Sequence, residues 1–261
     1  MIGFEIILFA LLFIGVYKYQ RNWKPVYPLF YTNGELIKIG HRGAPALAHE
    51  NTLASFTKAV ETGIDGVELD VQYSADKQLV VFHDWDLKTL NGSDKIIEKM
   101  PYSEIEKISL HDDNNNKIPL FREVLNVLSK KCIIVVEIKS VHFLNAGIEK
   151  NVLEIVKEFN FEENCIISSF NPLILWRIRK LNPNILTAFL WSKTDPQFSL
   201  NSPLWVWFCR PHAFHADIEH LDENLMSWIH RKKMSVLTFT VKTSSDLSKA
   251  KHLGVDGIIM D

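Results

Sequence analysis

Eight short apolar runs that alternate with amphipathic stretches predict an α/β protein whose strands form a TIM (β/α)8 barrel. Two more observations support this fold class. The chain has 261 residues, a usual length for one such barrel. Polar side chains stand at the ends of several apolar runs, where a barrel carries its functional groups. A small insertion after the second strand and an N-terminal hydrophobic helix complete the prediction.

The predicted strands are apolar on both faces, as expected for a parallel sheet that is covered on both sides. They comprise residues 36–40, 66–71, 133–138, 166–169, 186–190, 214–217, 236–241 and 256–260. Most are followed by amphipathic helix patterns, at residues 53–61, 145–158, 172–181, 221–231 and 244–252. Since no helix pattern follows the eighth strand, we expect either that the N-terminal segment covers the barrel there or that the barrel is partly open.

An extra strand and a polar insertion follow the second strand. Residues 79–82 are apolar and come after a short turn, which suits a hairpin and not a parallel crossover. Residues 84–118 then interrupt the alternation and include the polar run 112–116. We expect that run to be a solvated surface loop, with one short helix at residues 103–108.

The N-terminus forms a separate segment. Residues 1–24 are predicted to be a hydrophobic membrane anchor, 25–35 a connector and 36–261 the barrel domain. The apolar run 6–17 is followed by Lys18, Arg21 and Lys24. Seventeen helical residues reach roughly 25 Å, slightly less than a ~30 Å hydrocarbon core. The positive-inside rule then places the barrel in the cytoplasm. The alternative is an apolar helix that packs on its own domain or on a partner.

Charge and cysteine content limit the partners and the compartment. A formal net charge of −2 offers no basic surface for nucleic acid, so no nucleic-acid partner is expected. Cys132, Cys165 and Cys209 are widely spaced, and two of them open apolar runs. Buried free thiols are therefore favoured over disulfides, which indicates reducing surroundings.

Seven chemically active side chains stand at predicted strand ends: His41, Arg42, Glu68, Asp70, His83, Glu137 and Lys139. Because the carboxyl ends of barrel strands meet at one mouth, we expect all seven to converge there. Glu68 and Asp70 are two residues apart on a strand, so they share a face and need a counter-ion. With Glu137 they form the hard oxygen set that Mg²⁺ or Ca²⁺ prefers. A structural network with Arg42 and Lys139 is the alternative.

The two histidines suit proton transfer at neutral pH. Arg42 offers a fork of donors for phosphate oxygens, and Lys139 a compact second charge. Phe170 and Phe239 are candidate pocket walls, with core packing the alternative. Structural roles are expected for the remaining histidines, namely His49, His111, His142, His212, His215, His220, His230 and His252.

Several motifs in this order resemble those of the glycerophosphodiester phosphodiesterase family. They are Gly40-His41-Arg42-Gly43, Glu50-Asn51-Thr52, Glu68-Leu69-Asp70, Phe82-His83-Asp84, Ile118-Pro119-Leu120, Val136-Glu137-Ile138-Lys139, Ser168-Ser169-Phe170 and Gly254-Val255-Asp256-Gly257-Ile258-Ile259. The resemblance covers roughly residues 38–261. It implies hydrolysis of glycerophosphodiesters to glycerol 3-phosphate and an alcohol, with one divalent cation, Mg²⁺ or Ca²⁺.

The resemblance also implies residue roles. His41 and His83 are the general acid and base, in either assignment, and the metal ligands are Glu68, Asp70 and Glu137. The glycerol 2-hydroxyl is implied to attack first and give a cyclic phosphate, with direct attack by water the alternative. Glu50 is implied to lie at the pocket, whereas Asn51 is expected to cap the first helix. The insertion is implied to cover the substrate side.

Two departures from the family pattern leave the identity of the alcohol product undetermined. Phe239-Thr240-Val241-Lys242 stands where the family has Trp-Thr-Val-Asn, and Lys88-Thr89-Leu90-Asn91 replaces an Arg-Thr-Thr-like run. One alternative activity is therefore a lysophospholipase D that releases lysophosphatidic acid from membrane lysophospholipids, which an apolar groove beside the site would favour. The other is an inactive phosphate-binding scaffold, which the complete histidine and carboxylate set disfavours.

Overall fold

The computed structural model describes residues 11, 14–21, 23, 25, 35–110, 113–128, 132–140, 147–194 and 202–261. The strands are β1 Ile37–Gly40, β2 Gly66–Tyr73, β3 Leu79–Val81, β4 Asp86–Leu87, β5 Ser93–Ile96, β6 Ser109–Leu110, β7 Asp113–Lys117, β8 Ile133–Ile138, β9 Cys165–Ser169, β10 Leu186–Trp191, β11 Ala213–Asp217, β12 Ser235–Val241 and β13 Gly257–Met260. The helices are α1 Leu53–Glu61, α2 Lys88–Asn91, α3 Tyr102–Ile105, α4 Phe121–Val127, α5 Ile148–Glu158, α6 Pro172–Leu181, α7 Val206–Cys209, α8 Glu223–Arg231 and α9 Ser244–Leu253. Residues 14–21 are also helical.

Eight parallel strands close into a barrel in the order β1, β2, β8, β9, β10, β11, β12 and β13, because β1 pairs with both β13 and β2. The predicted TIM barrel is confirmed. The extra strand β3 pairs antiparallel with residues 71–73 of β2, beyond the two residues that β1 covers. This hairpin extends the mouth of the barrel and carries the following His83 to it.

Apolar side chains from seven barrel strands fill the interior: Ile37, Ile39, Val135, Ile166, Ala188, Ala213, Leu237 and Ile259. Alternate residues of the same strands face the helices. On β2, Val67, Leu69 and Val71 join the outer apolar cluster. Because side chains alternate along a strand, Glu68 and Asp70 face the interior instead.

The insertion differs from the expected loop. Residues 113–117 form β7, paired antiparallel with β6, and β4 pairs with β5 in a second ribbon. The prediction of a solvated loop at 112–116 was therefore wrong for 113–116, since backbone pairing outweighs the low strand propensity of Asp and Asn. The helix predicted at residues 103–108 corresponds to α3, which is shorter and spans Tyr102–Ile105. Insertion residues such as Ile97 and Ile105 pack with Phe82 in an apolar cluster of their own, which fixes the strand that precedes His83.

The last described residues of the N-terminal segment pack against the outside of the barrel. Residues 1–10 and 26–34, which the anchor and connector predictions include, lie outside the described residues. Trp23 and Leu36 pack against the outer cluster of β11 to β13. Within the described residues, none of the helices has the length and apolar character needed to cross a membrane. Cys132, Cys165 and Cys209 are free and buried, as predicted.

Two buried histidines lie outside the predicted site. His215 alternates with the outward-facing Phe214 and Ala216, so its fully buried ring lies inside the barrel without a hydrogen-bond partner among the described residues. Burial lowers the pKa of His215 to about 3. Burial, together with Arg179, lowers the pKa of His212 to about 4. Both rings are therefore neutral in the folded chain at pH 7.

Acidification from pH 7.5 to 5 is expected to lower the free energy of unfolding through these two rings, because the unfolded chain binds protons there and the folded chain does not. The loss begins below the ordinary pKa of 6.5 and ends near the folded values of about 4 and 3. By pH 5 each histidine removes about 2 kcal/mol. Urea denaturation of the wild type and His215→Leu at both pH values tests this. The variant should lose about 2 kcal/mol less than the wild type, and equal losses would contradict the expectation.

Candidate active site

A cavity of about 410 Å³ opens at the carboxyl ends of the barrel strands. Eight of the predicted site residues line it: His41, Arg42, Asp70, His83, Glu137, Lys139, Phe170 and Phe239. Glu68 lines a smaller space of about 30 Å³ directly beside it, together with His41 and Glu137. Glu50 lines neither. The convergence of strand ends thus brings together residues that are far apart in sequence.

Three carboxylates form the centre of the site. One oxygen from each of Glu68, Asp70 and Glu137 lies within 4.8 Å of the others. Asp70 is opposite Glu137 in the register of β2 and β8, so the pairing of two strands sets this spacing. Glu68 and Asp70 are buried, and Glu137 is half-buried. An oxygen-only cluster of this kind fits a divalent cation such as Mg²⁺ or Ca²⁺.

Neighbouring charges shift the pKa values of Glu68 and Asp70 in opposite directions. Burial, followed by the charges of Asp70 and Glu137, raises the pKa of Glu68 well above its ordinary value. Burial alone would also raise the pKa of Asp70, but Lys139, His83 and Arg42 together outweigh it and lower that pKa. A bound cation would offset the like charges of Asp70 and Glu137 beside Glu68.

Arg42 and Lys139 flank the carboxylates. The Arg42 backbone N–H donates to Glu68 Oε2 at 3.1 Å, and its guanidinium Nε lies 3.5 Å from Asp70 Oδ2. Lys139 Nζ lies 3.6 Å from Asp70 Oδ1 and 3.3 Å from Glu137 Oε1. The pKa of Arg42 and that of Lys139 are both raised, because neighbouring carboxylates outweigh the cost of burial. Both side chains stay cationic at the mouth.

Each of the two site histidines is held by a carboxylate. His41 Nδ1 lies 2.7 Å from Asp261 Oδ1, and His83 Nδ1 lies 2.7 Å from Asp84 Oδ1. The hydrogen bond from His41 lowers the pKa of Asp261, so that carboxylate is ionised and accepts. A proton on Nδ1 leaves Nε2 as the exchangeable nitrogen of each ring. Asp261 was missed in the sequence, although it directly follows the eighth strand, as His41 follows the first.

The turn after β1 depends on glycine and on Ser55. Gly43 has φ 99°, and a Cβ there would lie 2.4 Å from Ser55 Oγ. Ser55 Oγ accepts from the Ala44 N–H and donates to the Arg42 carbonyl. Arg42 itself has φ 56°. The close packing of this turn against α1 fixes the backbone that carries His41 and Arg42.

Asn51 does not cap the first helix. Thr52 is the N-cap of α1, and its Oγ1 accepts from the Ser55 N–H. Asn51 is instead buried, and its Nδ2 donates to Asp70 Oδ2 at 2.9 Å. The expectation was wrong because Asn is a common cap by local propensity, whereas here its amide donates to a buried carboxylate of β2. Asn51 therefore orients Asp70.

Comparison with known proteins agrees with this geometry. The model of the glycerophosphoryl diester phosphodiesterase family matches residues 41–261. The chain belongs to this family. A glycerophosphodiester phosphodiesterase from Caldanaerobacter subterraneus subsp. tengcongensis is 33% identical over 233 residues, which cover 86% of this chain and 93% of the relative. The enzyme class predicted from the sequence, a phosphoric diester hydrolase of this family, is confirmed.

Solved structures of the family share the fold. A glycerophosphodiester phosphodiesterase from Thermotoga maritima is 31% identical, with a TM-score of 0.70 and coverage of 87% of this chain and 94% of that chain. A phosphodiesterase from Oleispira antarctica, solved in complex with the product sn-glycerol-3-phosphate, is 26% identical, with a TM-score of 0.75 and coverage of 86% and 92%.

The outer wall of this phosphodiesterase's cavity combines two rings with polar groups. Phe170 and Phe239 meet edge to face at 6.1 Å between ring centroids. Ser192 and Asp217 also line the cavity, and Ser192 Oγ donates to Asp217 Oδ2 at 2.8 Å. Both follow or end barrel strands, a signal that would have identified them. Glu50 accepts from Arg42 at 2.6 Å, and its predicted contact with substrate stays a prediction.

Proposed function

We propose that this phosphodiesterase hydrolyses glycerophosphodiesters to sn-glycerol 3-phosphate and an alcohol, with His41 and His83 as its proton-transfer groups. One observation carries the proposal. Two imidazoles, each oriented by its own carboxylate, line the same cavity as a three-carboxylate cluster and two cations. Acid–base catalysis at a phosphodiester needs this set, because one oxygen must lose a proton and another must gain one.

The proton balance assigns one task to each ring. One imidazole takes the proton from the attacking oxygen as the new P–O bond forms, and the other gives a proton to the leaving alkoxide as the old P–O bond breaks. The attacking oxygen is either water or the glycerol 2-hydroxyl, and in the second case water then opens the cyclic phosphate. The Asp261 and Asp84 carboxylates stabilise whichever ring becomes cationic.

The remaining charged residues of the cavity stabilise the charge at phosphorus. Glu68, Asp70 and Glu137 are the residues that would hold a divalent cation. When bound, this cation would polarise a phosphoryl oxygen as a Lewis acid. The Arg42 guanidinium and the Lys139 ammonium bind the remaining phosphate oxygens and lower the energy of the charge that develops there.

Release of glycerol 3-phosphate from glycerophosphocholine by the full chain tests the proposal. Activity is expected with Mg²⁺ or Ca²⁺, loss after EDTA, and recovery when the metal is restored. A chain that gives no turnover with either metal, as an inactive scaffold would, contradicts the proposal. Turnover that survives complete chelation contradicts its metal dependence alone.

We also propose that the N-terminal segment attaches the enzyme to a membrane, with the barrel on the cytoplasmic side. The apolar residues Leu11, Ile14, Val16 and Tyr17 are between 47% and 62% exposed. At 100° per residue these positions point to different sides of the helix. Apolar side chains that are exposed on different sides of a helix are stabilised by an apolar environment, which a bilayer supplies. Lys18 and Arg21 follow the apolar run and favour the cytoplasmic orientation.

A small polar alcohol is the leaving group that the described cavity supports best. Apart from Phe170 and Phe239, its lining is polar or charged and includes Thr194 and Lys242. An apolar groove, the feature that would favour lysophospholipids, is not formed by these described lining residues. Lysophospholipase D activity therefore ranks second. Comparing initial rates on glycerophosphocholine and lysophosphatidylcholine separates the two, with the first expected to be faster.

A further inference from the structure

We infer that a surface beneath the amino ends of the barrel strands lies in the headgroup region of an anionic bilayer, so that the active-site mouth points away from the membrane. This surface, the aromatic collar, consists of Trp23, Trp176, Lys180, Trp207, Trp228 and Lys232. The inference rests on the proposed membrane attachment and not on the proposed reaction.

The N-terminal helix is fixed to the barrel at the collar. Tyr19 Oη donates to the Phe208 carbonyl at 2.5 Å, and Trp23 Nε1 donates to the Pro211 carbonyl at 2.8 Å. The Arg210 guanidinium lies 3.8 Å from the centre of the Tyr19 ring. The segment that leads from the apolar run into the enzyme is therefore docked on the barrel. A bilayer that holds the apolar run must lie close to this part of the surface.

The collar pairs indole rings with lysine ammonium groups. Lys232 Nζ lies 3.7 Å from the centre of the Trp207 ring and 4.8 Å from that of Trp228. Trp23 meets Trp207 edge to face at 5.6 Å. Lys180 Nζ lies 3.8 Å from the centre of the Trp176 ring. Rings with an apolar body and a polar edge, beside long cationic side chains, are the composition of membrane-interface belts.

Seven of the eleven large apolar side chains that are exposed in the described residues lie on the collar, near it in sequence or on the N-terminal helix, whereas Leu47, Leu53, Ile96 and Val127 lie elsewhere. Trp207, at 43%, belongs to the collar, Leu181, at 53%, follows Lys180 in the sequence, and Leu204, at 60%, lies in the short turn that precedes α7. Four others belong to the N-terminal helix and are Leu11, Ile14, Val16 and Tyr17. A bilayer that holds the docked N-terminal helix would also cover the exposed apolar side chains near its docking site.

Charge identifies the lipid as anionic. Helix α8 ends in the basic run 230–233, His-Arg-Lys-Lys, and α6 ends near Arg179 and Lys180. Lys18 and Arg21 add charge at the docked helix. A basic surface of this kind is attracted to anionic headgroups, whereas two copies of it would repel each other.

The position of the collar sets the orientation of the enzyme. Pro211 precedes β11, and α6 and α8 both end at the amino side of the barrel. The active site lies at the carboxyl ends, where Asp217 ends β11. The barrel therefore separates bilayer from mouth, and substrate reaches the mouth from water. This geometry favours a soluble glycerophosphodiester over a lysophospholipid that remains in the bilayer.

Quenching by brominated lipids tests the inference in the full chain. The chain is reconstituted in vesicles of phosphatidylcholine and phosphatidylglycerol with or without brominated acyl chains, and tryptophan emission is measured. We expect Trp207→Phe and Trp228→Phe to remove part of the quenchable emission. Trp85→Phe is the matched control, because Trp85 lies 5.8 Å from Lys139 Nζ at the mouth and should not contribute to it.

Charge reversal provides the second arm. Lys180→Glu with Lys232→Glu is expected to weaken quenching, whereas Lys58→Glu with Lys150→Glu, an equal charge change on α1 and α5, should leave it unchanged. Loss of quenchable emission in Trp85→Phe instead of the collar variants would overturn the inference. The inference would also be overturned if the collar tryptophans escaped quenching and the chain formed a detergent-stable dimer that Trp207→Glu dissociated.

Vesicle flotation and turnover measurements also distinguish failure of this inference from failure of the proposed membrane attachment or of the proposed reaction. Wild-type chain that does not float with vesicles disproves membrane attachment, and the inference with it. Normal quenching without glycerophosphocholine turnover contradicts the proposed reaction and leaves the orientation standing.

Discussion

Replacement of His41 or His83 by alanine is expected to lower kcat on glycerophosphocholine by on the order of 10²–10⁴-fold, because each ring moves one of the two protons of the reaction. The rings contribute little to folding. They are half-buried and bonded to carboxylates at the mouth, at 2.7 Å in both cases. The melting temperature should therefore change little while the rate falls.

Steady-state kinetics and thermal melts of purified variants test this expectation. His252→Ala is the matched control, since His252 is an exposed histidine on α9 that lies 3.6 Å from Glu223 and does not line the cavity. It should retain the wild-type rate. Asp261→Asn should fall between the two, at roughly a 10–100-fold loss, as for other carboxylates that orient a functional histidine. A near wild-type rate in either alanine variant would remove that ring from the mechanism.

Local signals in the sequence predicted most of the barrel. The bounds of α1 and α6 agree with the prediction at both ends, because Thr52 and Asn171 cap them and Pro172 occupies the first helical position of α6. The third barrel strand, Ile133–Ile138, agrees as well, since its apolar residues are interrupted only by Glu137 and are followed by Lys139. Strand ends then predicted which side chains meet at the mouth.

Long-range pairing could not be predicted in the same way. The partner of His41 is Asp261, 220 residues away, and the register of β1 on β13 brings them together. Asn51 was assigned to the helix by its capping propensity, although an amide–carboxylate bond across 19 residues determines its position. The polar run at 113–116 has weak strand propensity, and only its pairing with β6 makes it a strand.

Replacement of Glu68 by glutamine is expected to weaken metal-dependent stabilisation strongly while leaving the metal-free chain at least as stable as the wild type. Without metal, burial and the charges of Asp70 and Glu137 oppose ionisation of Glu68, so a neutral isostere is tolerated at this position. The glutamine side chain keeps an oxygen that accepts from the Arg42 N–H, so the turn after β1 stays in place. With metal, the wild type gains a ligand that the variant lacks.

Thermal melts with and without Mg²⁺ or Ca²⁺ measure this reversal directly. At a metal concentration 100 times the dissociation constant, the wild type should gain about 2.7 kcal/mol of stability. Glu68→Gln should gain far less and show little activity. Glu50→Gln is the matched control, because this carboxylate contacts Arg42 outside the cluster and should preserve the shift. If the wild type becomes more stable than Glu68→Gln only when metal is added, the cluster is a metal site. In a structural ion-pair network, Lys139 and Arg42 alone would balance the carboxylates, and added metal would stabilise neither chain.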